Sequence, residues 1–600
     1  MKRLKNWFVF GLATVAFLAP LKFGTPVIIQ SASALPQDGS EWLHFSWPNE
    51  LIVLFIFAGF IWLVLDRDRM LARVDLLFTL PLFFLLTQAL AVPWTICPQA
   101  TIDTLMLFAS GVLLFYVGAW YVRDGAATAQ IFGGLSLATL FVCLLAMRQH
   151  FGGLAESRAY AALYVDPAHV PKDFLLRLTS TRVFGSLVYP NALAGFIVVA
   201  FAPTLVWIWV RARSWDVRVK WITLAFAAGV MLYCLVLTGS RGGFMAFGAM
   251  ALTVFLCWFP GRGRRTASVF VGMIVILAGV FLLGHRAGFL HVGTTSLESR
   301  MDYWRGAVAI AKDHPWVGTG PGTFGSIYPK YKTAPTEEAQ AVHNSFLQMW
   351  SDSGVLAFIA FALLWIVALW DSFRLARQRV GDAAAMAVCG ALAGWTVHGL
   401  VDFDLYAPGV ALPAFILLGA VQGLKELPRT DSVSPRRREN WFVGATCAVV
   451  LVAVLWTEGR ALTAEFLRAQ AQELAAVSPF EALDTAKRAA DLAPWNSHFK
   501  SGFGDMAFRL GNPDVAIAAY RDAIQDDPYR ATGWWRLAEA KMAAHGVDAE
   551  ALQLLRKAVE LNPTNARYSR ALAAAEESVR QSRPALLESE PAKETGSSKQ

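Results

Sequence analysis

A histidine and an asparagine, His343 and Asn344, open an apolar stretch that directly follows the longest polar loop of the chain. Imidazole is the side chain whose ordinary pKa lies nearest neutrality, so it can take a proton from a hydroxyl. A helix N-terminus favours its neutral form, which a base requires. Arg241 lies in TGSRGG (Thr238 to Gly243), a tight link between two apolar runs. Guanidinium meets phosphate with a rigid fork of donors, and the neighbouring glycines would let a phosphate approach the backbone. Arg300 and Arg305 lie on one predicted surface helix. His398, Asp402 and Asp404 share HGLVDFDLYAP. Its two carboxylates could hold arginines, orient a sugar or assist His343, and spacing alone does not choose. Asp352 is nine residues after His343, about half a turn out of phase at 3.6 residues per turn, and is a poor partner for it.

Each group also has a structural reading. A lone histidine at a helix start is more often structural than catalytic, and an arginine in a short membrane loop can simply snorkel. Placement is what favours chemistry. The chain has 600 residues, 56% hydrophobic and 16% charged, against ~25% charged in soluble domains. Apolar runs of about 18 residues or more read as transmembrane helices. About thirteen occur: 7–23, 49–65, 74–96, 101–122, 127–147, 184–210, 220–238, 243–260, 267–284, 346–370, 383–400, 406–424 and 440–457. The net charge of +8 does not indicate nucleic acid, because the basic residues collect in short loops on alternate sides of these helices, as in the positive-inside rule. The N-terminus is then cytoplasmic, and the long loops 148–183 and 285–345 and the C-terminal region lie outside. All ten histidines fall on that outer side, with Arg148, Arg158, Arg177, Arg182, Arg241, Arg286, Arg300 and Arg305. Arg241 opposes the positive-inside trend. Charges at helix centres are nearly absent, which argues against a proton-coupled transporter or a flippase.

Other signals position these groups. Residues 31–34, SASA, resemble a signal-peptidase site, but the first apolar segment suits a retained helix as well. The six cysteines lie in or beside apolar segments without a C-x-x-C pair and read as small buried residues. In loop 285–345, Thr295 and Glu298 form a capping box. Leu297, Met301, Trp304, Val308 and Ala311 make a helical stripe, flanked by Arg300 and Arg305 and ended by Pro315. The segment His314 to Phe324, HPWVGTGPGTF, lacks a Walker lysine and reads as a structural turn.

Beyond about residue 460 the composition changes. Ala482, Ala516 and Ala551 recur with Ala489, Ala523 and Ala558 and with Pro494, Pro528 and Pro563, at periods of 34 and 35. Gly504 and Ala538 occupy matching positions one repeat apart. This resembles the tetratricopeptide repeat, which stacks helix pairs and needs small residues where they cross. The expected fold is all-α. A polytopic membrane bundle spans 1–460, an α-solenoid of three repeats with a final helix spans 461–580, and a polar, disordered tail spans 581–600.

The ordered pieces RVFGSLVYPNALAGF (182–196), TGSRGG, SRMDYWRGAVAIAKDHPWVGTGPGTF (299–324), HNSFLQMWSDSG (343–354) and HGLVDFDL, within residues 180–410, resemble the O-antigen ligase and polysaccharide polymerase superfamily of bacterial membrane glycosyltransferases. The family usually has glutamate where this chain has Asp352. The resemblance implies a multi-pass inner-membrane enzyme that transfers a glycan from a polyprenyl diphosphate to an acceptor hydroxyl at the outer face, with inversion and without a metal or cofactor. It implies that Arg241, Arg300 and Arg305 hold the diphosphate, that Arg182 and Asn344 assist at the substrate, and that His343 deprotonates the acceptor. The acceptor is a glycan, a lipid or, in a protein O-glycosyltransferase, a Ser or Thr presented by the repeats. A non-catalytic scaffold that recruits envelope-assembly proteins through its repeats is the reading from another class. The charge map itself is testable: a cysteine replacing Ser582 is expected to react with an impermeant maleimide added outside intact spheroplasts. Labelling only after lysis would overturn the helix count.

Overall fold

A computed structural model describes residues 2–28, 39, 42, 46–65, 75–155, 181–258, 288–333, 338–379, 381–425 and 441–588. Among these, every regular element is a helix. The chain divides into two compact units. One comprises Met1–Thr95, Gln99–Gly325 and Ala339–Glu465, and the other Ile96–Pro98, Ser326–Glu338 and Phe466–Gln600.

The first unit holds α1 (Lys2–Lys22), α2 (Asn49–Leu65), α3 (Leu76–Leu90), α4 (Pro98–Tyr121), α5 (Gly125–Arg148), α6 (Pro190–Arg211), α7 (Val217–Thr238), α8 (Arg241–Trp258), α9 (Gly288–Asp313), α10 (Phe324–Tyr331), α11 (Ser345–Gln378), α12 (Ala383–Gly399), α13 (Pro408–Lys425) and the start of α14 (Trp441–Leu474). Eight described helices are long and apolar enough to cross a membrane, and α12 is a shorter apolar helix. Twelve of the thirteen expected apolar segments coincide with helices. The thirteenth, 267–284, lies outside the described residues, as do the SASA segment, Arg158, Arg177, His285 and Arg286. Cys97, Cys143, Cys234, Cys257 and Cys389 are buried, as expected.

α13 forms the centre of this unit. It is 94% buried and packs on α1, α6, α11 and α12. It approaches α4 backbone to backbone. A Cβ on Gly419 would lie 2.4 Å from the Phe115 carbonyl, and one on Gly118 3.0 Å from Gly419 Cα. Small residues at such crossings let membrane helices gain van der Waals contact where lipid offers no hydrophobic driving force.

Two local expectations for α9 are corrected. The helix starts at Gly288, so Thr295 lies inside it and not at its N-terminus: the continuing helix supplies the backbone partners a cap would have supplied. The buried face is Asp302, Tyr303, Ala307, Ile310 and Ala311, whereas Met301 is 44% exposed. The apolar stripe is rotated because Asp302, counted as polar, turns inward. Pro315 lies two residues past the helix end at Asp313, as expected.

The glycine-rich segment 314–324 is built around a break in α11. Gly354 has φ 80° and ψ −178°, a region essentially closed to L side chains. Its α-carbon packs against Trp316, whose carbonyl oxygen would be 2.1 Å from a Cβ. The amides of Thr319 and Gly320 donate to the Asp352 carbonyl at 3.0 and 2.7 Å. The amide of Gly322 donates to its carboxylate at 3.0 Å, as do Gln348 and the Tyr406 hydroxyl at 3.2 and 3.4 Å. Gly318, Gly320 and Gly322 all have positive φ. Asp352 is thus fully buried as the hub of a turn and does not face His343.

In the second unit, α15 (Pro479–Leu492), α16 (Ser497–Arg509), α17 (Pro513–Asp526), α18 (Ala531–His545), α19 (Ala549–Leu561) and α20 (Ala566–Glu588) form successive antiparallel pairs. The recurrent small residues sit where helices cross: Ala482, Ala516, Ala538, Ala551 and Ala558 are fully buried. A Cβ on Gly504 would lie 2.7 Å from the Tyr520 ring. α20 runs to Glu588, past the expected start of the tail at 581, and residues 589–600 lie outside the described residues.

Gly354→Ala combines forbidden φ with a backbone clash. It is expected to cost about 3 kcal/mol or more, seen as a lower midpoint in thermal melts of the detergent-solubilised protein. An unchanged midpoint would refute the break described at this residue.

Candidate active site

Three separate stretches of sequence converge around Asp402. Its carboxylate is 3% exposed. Oδ2 lies 3.6 Å from the Arg300 guanidinium of α9, and Oδ1 lies 3.5 Å from His343 Nδ1. Both are ion-pair distances rather than aligned hydrogen bonds. Oδ1 also accepts from the amide of Phe403 at 2.9 Å, and the Asp402 carbonyl accepts from the Ser345 hydroxyl at 3.1 Å. Burial pushes the Asp402 carboxyl up. The facing His343, with the charges of Arg300 and His398, outweighs that and holds it below the usual carboxylate range.

His343 is one of two non-glycine residues with positive φ among those described, at 55°. Histidine tolerates this region better than most residues, but the conformation still costs about 1–3 kcal/mol. Its neighbours enforce it. The amide of Val342 donates to Gln348 Oε1 at 3.1 Å. Asn344 is the N-cap of α11, and its Oδ1 accepts from the amides of Phe346 and Leu347 at 3.0 and 2.9 Å. Ser345 is tied to Asp402. Fixed on both sides, the ring of His343 lies nearly parallel to Tyr303, 5.8 Å between centroids, and edge-on to Phe403 at 4.8 Å.

The link between α7 and α8 reaches the same cluster through its backbone. Arg182 donates from Nε to the Thr238 carbonyl at 2.6 Å and from Nη2 to Asn191 Oδ1 at 2.8 Å. Burial pulls the Arg182 guanidinium below its ordinary value; Asp402 opposes the shift and Arg300 adds to it. The two arginines and Asp402 therefore share one electrostatic environment. Gly239, with φ 58°, packs on Arg182, and Gly242 on His398 and Val401. Arg241 stands between them as the first residue of α8, with its side chain exposed.

Of the residues singled out in the sequence, His343, Arg300, Arg182 and Asp402 are brought together. Arg305 is exposed and lies about 140° around α9 from Arg300. Asn344 spends its side-chain oxygen on the helix cap. Asp404 turns away from His343 and meets His398, with Oδ2 2.5 Å from Nδ1; both are fully buried. That pairing was not legible, because Gly399 ends α12 between the two residues and no regular period relates them. Nor did the sequence point to Asn191, the second partner of Arg182.

This arrangement is a general base candidate beside a set of fixed cations, at one end of a membrane helix bundle. Residues 226–362 match a family model described as O-antigen ligase. Residues 507–575 match one described as tetratricopeptide repeat. The chain is therefore a multi-pass membrane protein with an O-antigen ligase domain joined to a tetratricopeptide-repeat domain. The ligase match contains Arg241, Arg300, Arg305, His343 and Asn344, but not Arg182, Asp402 or Asp404. No curated protein matches the chain. Among solved structures, the first TPR of Spaghetti (RPAP3) bound to the HSP90 peptide SRMEEVD is similar, with 20% identity over 20% of this chain and 95% of that one and a TM-score of 0.19. At that score the likeness says nothing further about this chain.

Asp402→Asn removes the charge facing both Arg300 and His343 and is expected to destabilise the protein by about 1–3 kcal/mol. With its native pKa depressed, the carboxylate contributes in full above about pH 4 and loses that contribution as pH falls through the lower native value. The gap in melting temperature between wild type and variant should persist from pH 7 to 5 and shrink only below about pH 4. Equal stability at pH 7 would rule this role out.

Proposed function

We propose that the protein is a membrane glycosyltransferase that moves a glycan from a polyprenyl diphosphate to an acceptor hydroxyl at the outer face of the bacterial inner membrane. The observation that carries this reading is His343, held in a strained conformation with Nδ1 toward an ionised carboxylate that also binds Arg300. A proton on Nδ1, facing Asp402, leaves Nε2 with its lone pair, the tautomer that can accept a proton. Nε2 takes the proton of the acceptor hydroxyl. The acceptor oxygen bonds to the anomeric carbon from the face opposite the leaving group, and the carbon–oxygen bond to phosphate breaks with its electron pair on the diphosphate. Configuration inverts. Arg241 and Arg300 neutralise the charge that develops on the phosphate oxygens, and cations fixed beforehand do this best where water is scarce. Arg305 extends that surface toward the lipid headgroups. Arg182 contributes by fixing the end of α7, and with it the start of α8 and Arg241. Asp404 holds His398 behind the glycines of the same link.

The ligase-family match supports the transfer chemistry. The repeat domain supports a second reading of the acceptor, a protein side chain presented by the repeats. His343→Ala and Arg241→Ala are each expected to lower transfer about 100-fold or more, with membrane insertion and solution behaviour unchanged. Full-length glycan in a deletion strain carrying either variant would leave the scaffold reading in its place. The glycan of the deletion strain itself separates two outcomes: attached single repeat units indicate a polymerase, and unattached lipid-linked polymer indicates a ligase.

A further inference from the structure

The second non-glycine residue with positive φ is Val188, at 61°. A β-branched side chain in this region is a true outlier. The amide of Tyr189 donates to the Leu187 carbonyl at 2.6 Å, so Val188 is the centre of a three-residue γ-turn of the rare, strained hand. The surroundings are built to hold it. The Gln149 side chain accepts from the amides of Phe184 and Gly185 at 3.0 and 2.8 Å and donates to the Gly185 carbonyl at 2.9 Å. The Ser186 hydroxyl donates to the Pro20 carbonyl at 2.6 Å, and Leu187 is fully buried. What the turn achieves is the placement of Tyr189. That residue precedes Pro190 at the head of α6, half-buried, with its ring perpendicular to Phe403 at 5.4 Å between centroids. Phe403 in turn touches His343. Strain kept by several independent restraints is characteristic of sites where geometry serves function.

Resting on the transfer reading above, we infer that Tyr189 is a sugar-binding platform, a specificity residue that stacks on a ring of the glycan next to the reacting centre. The electron-rich face of an aromatic ring attracts the polarised C–H face of a pyranose and offers nothing favourable to a phosphate. Only one further ring, Phe403, separates it from His343. The platform therefore serves the sugar end of the donor, and Arg241 serves the diphosphate end.

The test measures binding to the full-length protein in nanodiscs with two probes: undecaprenyl diphosphate without sugar, and undecaprenyl-diphosphate-linked oligosaccharide extracted from the membranes of the source cells. Tyr189→Ala is expected to weaken the sugar-bearing probe about three- to ten-fold and leave the sugar-free probe unchanged. Tyr189→Phe should bind both as wild type does. Tyr189→Leu, which fills the space without a π face, should behave as the alanine variant does. In transfer assays the loss should appear in KM more than in kcat. Wild-type binding by the leucine variant, or equal weakening of both probes by the alanine variant, would reduce Tyr189 to a packing or interfacial residue and overturn the inference. Arg241→Ala is the separate control: if it weakens neither probe, the diphosphate reading fails, whatever Tyr189 does.

Discussion

A buried negative charge at Asp402 is the constraint on which the site depends. Arg300 lies close enough to Arg182 to disfavour its charge, and two such guanidinium groups are held together by an anion. Asp402 supplies it while accepting the Ser345 hydroxyl through its carbonyl and facing His343 through its carboxylate. One residue thus links the α6 entry, the amphipathic helix α9, the head of α11 and the α12–α13 link. A diphosphate arriving at this surface would compete with Asp402 for the same cations. On the proposed reading, the carboxylate would hold the place of substrate charge as well as partner the imidazole.

The rest of the bundle is arranged so that this cluster need not move. α13 is packed on every side, and its glycines bring α4 into backbone contact. The glycine-rich segment after α9 locks onto the break in α11 through Asp352. α9, which carries Arg300, is thereby tied to α11, which follows His343, at a second point. Two carboxylates only fifty residues apart thus divide the work: Asp352 fixes backbone to backbone, and Asp402 fixes charge to charge.

Features set by local period or by composition could be read directly. The apolar segments among the described residues are helices, and the alanines repeating in the C-terminal region are the buried crossing points of helix pairs. The poor phase of Asp352 relative to His343 follows from 3.6 residues per turn, and the structure has it facing elsewhere. What depended on long-range contact could not be read. Asp302 looks like surface and is buried, which turned the α9 stripe. Thr295 has the form of a cap, yet the helix continues through it. The γ-turn at Val188 leaves no mark, since valine is a strand former by propensity. The choice between Asp402 and Asp404 was open because both follow a helix end whose exit direction only tertiary packing sets.

The burial of α13 has a consequence for how the protein comes to exist. Residues 408–425 emerge late from the ribosome, yet they cover part of α1, which otherwise packs on α5. Until then α1 can be sheltered only by lipid, by α5 or by the insertion machinery. Asp402, in the α12–α13 link, is likewise made after Arg300 and His343. The bundle therefore cannot mature in order of synthesis. Its centre closes late: a chain interrupted before residue 402 would hold Arg300 and His343 without their anion, and one interrupted before residue 408 would leave α1 without one of its two main partners.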